Sequence, residues 1–232
     1  MSSFEERLAE IESRIASARA RAGRSDTIEL MAVSKGQTAS ALRSLYAAGQ
    51  RSFGENYAQE LATKAGELAD LDGARFHFIG HLQKNKIKDV VGNVRSIQTV
   101  DSEGLATAID RRLTRLMDVL IEVNIDGEPQ KAGASIATVP ALAEVITALP
   151  QLRLTGLMTV PPAAEEAADA RPHFRRLREL GEDLLRRGLL QHGLALSMGM
   201  SHDFEVAIEE GATIVRVGTA LFGPRSPRGS AV

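Results

Sequence analysis

Residues 27–37, TIELMAVSKGQ, hold a short apolar run, Ile28 to Val33, interrupted by a single glutamate, and end in Ser34-Lys35-Gly36. An apolar run of that length bounded by a turn reads as a strand buried on both faces, the kind found in parallel sheets, although a buried helical turn has the same composition. Gly36 lets the chain turn away into a helix beginning near Ala39. Lys35 is therefore expected at the carboxyl end of a strand, where α/β barrels and open α/β sheets both place their chemistry. The plain alternative is a lysine that snorkels from a strand end to water.

The same strand-then-helix rhythm continues on both sides. Phe4, Leu8, Ile11 and Ile15 recur at helical spacing, which predicts an amphipathic helix over about 3–20, packed on the body of the protein or offered to a partner. Strands are expected at 51–56, 76–79, 94–98, 117–123, 152–157, 194–197 and 214–217. Helices are expected at 41–48, 58–69, 85–91, 102–116, 139–148, 165–187 and 201–210, with Gly49 as the stop of the first. A polar loop with Gly127, Pro129 and Gly133 precedes the helix at 139. Eight strands alternating with helices and no linker predict a single (β/α)8 TIM barrel, one domain over residues 1–232. An open doubly wound sheet is the alternative.

Composition removes several function classes. The net charge is −2 and no basic tract or aromatic platform speaks for nucleic acid. No cysteine is present, so disulfides and thiolate metal sites are not available. No apolar run approaches the roughly 20 residues of a membrane helix. Glu5, Glu6, Glu10 and Glu12 are wrong for a signal or transit peptide, so a cytoplasmic protein is expected.

In a barrel, the loops after the last two strands commonly hold phosphate. Here they are Ser197-Met198-Gly199-Met200-Ser201 and Arg216-Val217-Gly218-Thr219. Gly199 and Gly218 allow close approach of backbone N–H groups to an anion, and Ser201 and Thr219 each offer a hydroxyl to a phosphate or a helix start. A phosphate anchor opposite a lysine suggests a phosphorylated aldehyde held as an imine, with a partly desolvated barrel mouth helping the lysine lose its proton. Arg216 would lie between the two. A guanidinium facing a pyridine nitrogen leaves that nitrogen unprotonated, which weakens the ring as an electron sink.

The segments AVSKGQ, FGENYAQE, FHFIGHLQKNKIKD, VNIDGEPQKAG, LTGLMTVPP and LSMGMSHDFEVAIEEGATIVRVGTALFGPR together resemble the pyridoxal 5′-phosphate (PLP) homeostasis proteins, barrels similar to the N-terminal domain of alanine racemase (fold type III). The resemblance covers nearly the whole chain. It implies that Lys35 carries PLP as a Schiff base, that Ser201, Gly218 and Thr219 hold the phosphate, that Arg216 faces the pyridine nitrogen, and that Asn56 and Met200 or Ser197 line the pocket. It also implies a monomer that maintains the PLP supply, with apo PLP-dependent enzymes as partners and no clear catalytic activity. The family more often has Thr and Pro soon after the lysine, where this chain has Gly36 and Gln37. That departure is expected to alter the turn and not the Schiff base.

The residues add their own argument against a racemase. A two-base racemase needs a second proton carrier opposite the lysine; alanine racemases take a tyrosine from a second β-domain and the partner subunit. This sequence runs only about fifteen residues past its last strand, and its tyrosines are Tyr46, within a helix, and Tyr57, just after the second strand. Tyr57 is the one candidate acid. A small PLP enzyme of racemase type and a module binding another phosphate ligand remain the competing readings. His77 and His81 stand four apart without the glutamate of a zinc motif, in a segment that reads as strand and turn. Lys84, Lys86 and Lys88 read as a solvated face or an anion patch. Lys131, in the loop after the fifth strand, lies on the same side as Lys35. The hypothesis there is a weaker second PLP site or part of an exit route.

Overall fold

The computed structural model describes residues 2–128, 130–162 and 165–223; Pro129 of the expected polar loop and the Pro224-Arg225 end of the last family segment lie outside them. Among the described residues, β1 (Glu29–Val33), β2 (Ser52–Glu55), β3 (Arg75–Phe78), β4 (Ser96–Val100) and β5 (Met117–Asn124) are followed by the short β6 (Ala134–Ser135), then β7 (Leu152–Met158), β8 (Ala195–Ser197) and β9 (Ile214–Val217). All pairings are parallel. β1 pairs with both β2 and β9, and β4 pairs with β5, so eight strands close into a barrel while β6 only extends the end of β5. Closure removes the open-sheet alternative and leaves no unpaired barrel edge.

The helices are α1 (Phe4–Arg21), α2 (Ala39–Ala47), α3 (Ala58–Glu67), α4 (Ile87–Val91), α5 (Glu103–Asp110), α6 (Val139–Ala148), α7 (Arg171–Arg186), α8 (Phe204–Glu209) and α9 (Thr219–Phe222). α1 starts in a capping box formed by Ser3 and Glu6. It buries Leu8, Ile11, Ile15 and Ala18, each large aliphatic contributing about 1.5–3 kcal/mol. Its polar edge binds α8 through Arg14–Glu205 at 2.6 Å and Arg21–Glu209 at 3.0 Å, with the Arg14 guanidinium 4.6 Å from the Phe204 ring centre.

Several boundaries differ from the sequence expectation. β4 lies two residues later than 94–98, because Ser96 pairs with His77 and a bulge carries the strand on to Val100 opposite Ile121. α5 stops at Asp110, whose carboxylate accepts the Gln151 N–H at 2.8 Å and holds the chain at the amino end of β7. The long helix starts at Arg171 and not at 165. A 3-10 turn over Ala167–Ala170 precedes it, and Pro172 sits in its first turn, where its missing N–H costs nothing. α8 starts three residues after the expected 201, and the two short elements β6 and α9 had no sequence expectation.

Candidate functional site

At the carboxyl ends of the strands lies a cavity of about 570 Å³. Lys35, Asn56, Met200, Ser201, Arg216 and Gly218 all line it, together with Glu122, Asn124, His81 and Lys131. A hollow of comparable size, about 520 Å³, lies at the opposite end beside Glu12, Arg19 and Arg51, and no lysine lines it. β1 places Lys35 through its parallel register, Met31 opposite Arg216 on β9 and Val33 opposite Gly54 on β2. Gly36 then turns the chain at φ +72°.

Arg216 is buried. It donates from Nη1 to Ser197 Oγ at 2.7 Å and from Nη2 to the Thr159 carbonyl at 2.8 Å, so its plane is fixed. Burial pushes it down to about 10, against the pull of Glu122 and Asp203, and it stays cationic at neutral pH. Glu122 moves the other way. Burial first, then the charge of Asp101, raise its carboxyl to about 7, with Arg216 opposing.

Two expected residues stand apart from the cavity wall. Ser197 is fully buried beneath Arg216 and spends its hydroxyl on Arg216 and on Gln98 Oε1, 2.7 Å away. Thr219 is exposed and opens α9; its N–H, as a first-turn donor, has no carbonyl of its own helix to bond. Ser201, expected either to start the helix or to meet a phosphate, does not cap α8. Asp203 occupies the cap position and accepts the Met200 N–H at 2.6 Å, while Ser201 Oγ accepts the Gly218 N–H at 3.3 Å and ties the last two loops together. Gly199 sits at φ +91°, and a Cβ there would lie 2.5 Å from Ala207 and 2.9 Å from Phe204, so only glycine lets this loop press on α8. At Gly218 a Cβ would meet only Val33, at an ordinary 3.5 Å.

Asn56 has a buried Oδ1 with no hydrogen-bond partner among the described residues. Lys131 Nζ lies 2.5 Å from Glu128 Oε1, an ion pair that is not aligned as a hydrogen bond. Tyr46 donates to the Asp72 carbonyl on the outside of the barrel; Tyr57 is half exposed, and neither tyrosine lines the cavity. His77 is buried against Ser96 Oγ at 2.8 Å, and burial lowers it to about 4, whereas His81 is exposed at the mouth. Among the described residues no group of three or more His, Asp or Glu is placed to hold a metal. Lys84 and Lys88 are exposed and Lys86 is partly so, as on a solvated face.

The alanine racemase N-terminal domain family model matches residues 7–226. The pyridoxal phosphate homeostasis protein of Aquifex aeolicus is 46% identical over 227 residues, covering 95% of this chain and 97% of that one. The chain belongs to the pyridoxal phosphate homeostasis family. Among solved structures, PipY of Synechococcus elongatus PCC7942 with PLP bound is 37% identical, with a TM-score of 0.83 over 95% of this chain and 100% of that one. Alanine racemase of Corynebacterium glutamicum, 19% identical, shares the fold alone, with a TM-score of 0.65 over 96% of this chain and 63% of that one.

This member of the homeostasis family also carries site residues that the sequence reading passed over. In sequence Glu122 is one charge inside a largely apolar strand and Gln98 the end of another, and neither carries a motif. Lys64 and Glu60, four apart on α3, look in sequence like a solvated pair; the structure buries Lys64 between β1, β2 and α3. No helix of the described residues is long and apolar enough to cross a membrane.

Proposed function

We propose that this protein binds PLP in the carboxyl-end cavity, holds it as a Schiff base on Lys35, and buffers or supplies it to apo PLP-dependent enzymes without catalysing a reaction of its own. The observation that carries the reading is the convergence of Lys35, Arg216, Ser201 and Gly218 on one cavity. The aldehyde of PLP condenses reversibly with a primary amine, which is the chemistry a lysine at this position invites. Two features of the site fit the group: Asn56 Oδ1, without a hydrogen-bond partner among the described residues, asks for a polar ligand, and beside Gly218, whose N–H reaches Ser201 Oγ only at 3.3 Å, a Cβ would meet just Val33, so no other side chain crowds the backbone an anion would approach. In this reading Ser201, Gly218 and the Thr219 N–H bind the phosphate, and Arg216 faces the ring nitrogen as a fixed cation. Met200 covers the mouth.

The names of the curated relatives and the PLP in PipY support this assignment. The placement of both tyrosines outside the cavity supports a carrier over a two-base racemase. We further propose that the chain is a single domain acting as a cytoplasmic monomer. The test mixes PLP-loaded protein with an apo PLP-dependent enzyme and follows recovery of the acceptor's activity, beside incubation with amino acids in deuterated water. Transfer without useful α-hydrogen exchange is expected; rapid exchange would make the protein an enzyme.

A further inference from the structure

Behind Lys35, on the side away from the cavity, lies an ion cluster. The Lys64 side chain is 7% exposed, and its Nζ donates to the Ser34 carbonyl at 2.7 Å. The same ammonium contacts Glu55 Oε1 at 2.7 Å and Glu60 Oε2 at 3.2 Å. Glu60 Oε2 in turn accepts the Gly36 N–H at 2.8 Å, and Glu55 Oε1 accepts the Ser34 hydroxyl at 2.6 Å. Ser34 and Gly36 are the neighbours of Lys35 in the chain, so both peptide groups that flank the lysine are bonded to one cluster. Glu55 ends β2 and Lys64 belongs to α3, so the cluster fastens the turn to two other elements.

Stability alone does not account for such a cluster. Drawing an ammonium and a carboxylate out of water costs about what their attraction returns, and apolar side chains of similar volume often serve as well. What charges do better is fix direction, because each bond has one short, aligned geometry. We propose that Lys64 is a positioning residue for Lys35: through Ser34 on one side and Glu60 and Gly36 on the other, it holds the backbone so that the Lys35 side chain points into the cavity ready to capture an aldehyde. This role rests on the cofactor reading above.

Replacing Lys64 alone would strand Glu55 in the core, so the test uses two other changes. Glu60→Ala frees the Gly36 N–H and leaves the buried pair in place. Glu55→Leu with Lys64→Met removes both charges while keeping the volume filled. In each, amide exchange at Lys35 and Gly36 is expected to quicken, and the rate constant of PLP capture, read at the imine band, to fall by about tenfold, the scale of one freed backbone residue. The thermal midpoint of Glu60→Ala should move little, since Gly36 is exposed and its freed N–H meets water. Glu60→Gln keeps an oxygen for Gly36 and should restore most of the rate lost in Glu60→Ala. Wild-type capture rates in both variants would overturn the positioning role and leave the cofactor reading intact. Failure of the wild type to capture PLP would instead contradict the cofactor reading, and this role with it.

Discussion

The Arg216 guanidinium donates to the Ser197 hydroxyl at 2.7 Å, and that hydroxyl in turn donates to Gln98 Oε1 at the same distance. The serine that the family resemblance offers as a pocket wall therefore works one layer down, holding the arginine. Ser197→Ala removes an acceptor from a buried cation and leaves Gln98 Oε1 without its donor. Denaturant unfolding should show a loss of about 1–3 kcal/mol, larger than a surface change gives. An unchanged midpoint would refute the link.

Glu122 makes a pH prediction for the cofactor-free protein. Its folded carboxyl holds a proton up to about pH 7, whereas the unfolded chain releases it near the ordinary 4.5. The folded state binds the extra proton between those values, so this group's contribution is fully present below pH 4.5 and is lost as pH rises through about 7. The charges facing it are Asp101 from the end of β4 and Arg216 from β9, with Lys35, Lys131 and His81 sharing the cavity. Glu122→Gln should remove this part of the slope and stabilise the protein at pH 8 by on the order of 3 kcal/mol. Parallel stability–pH curves for the two proteins would contradict the assignment.

Lys131 shares the cavity with Lys35 and is paired with Glu128. If it lies on the exit route, Lys131→Ala will pass PLP to an apoenzyme more slowly than wild type while folding normally, since a partly exposed pair contributes at most about 1 kcal/mol. Equal transfer rates would sink the idea.

The barrel was legible because short strand segments alternate with helix-spaced ones along the whole chain, and because the lysine stands just past the first strand. Lys35, Asn56, Arg216 and Gly218 stand at strand ends, where register alone brings them together. What escaped was set by packing. Lys64 is spaced from Glu60 like any surface pair, and nothing local shows that α3 turns it toward Ser34. The shift of β4 depends on a bulge against β5, a partner about twenty residues away. α9 is a single turn closing over Gly218, too short for any periodicity to announce.

The claim that Lys35 anchors PLP is tested most directly by absorbance from about 300 to 500 nm on protein loaded with PLP, followed by borohydride reduction and a peptide map. A band near about 420 nm, fixed by reduction onto Lys35 and absent from Lys35→Ala, is expected, and six lysines make the map unambiguous. No band after PLP is added, or a label spread over the other lysines, would contradict it.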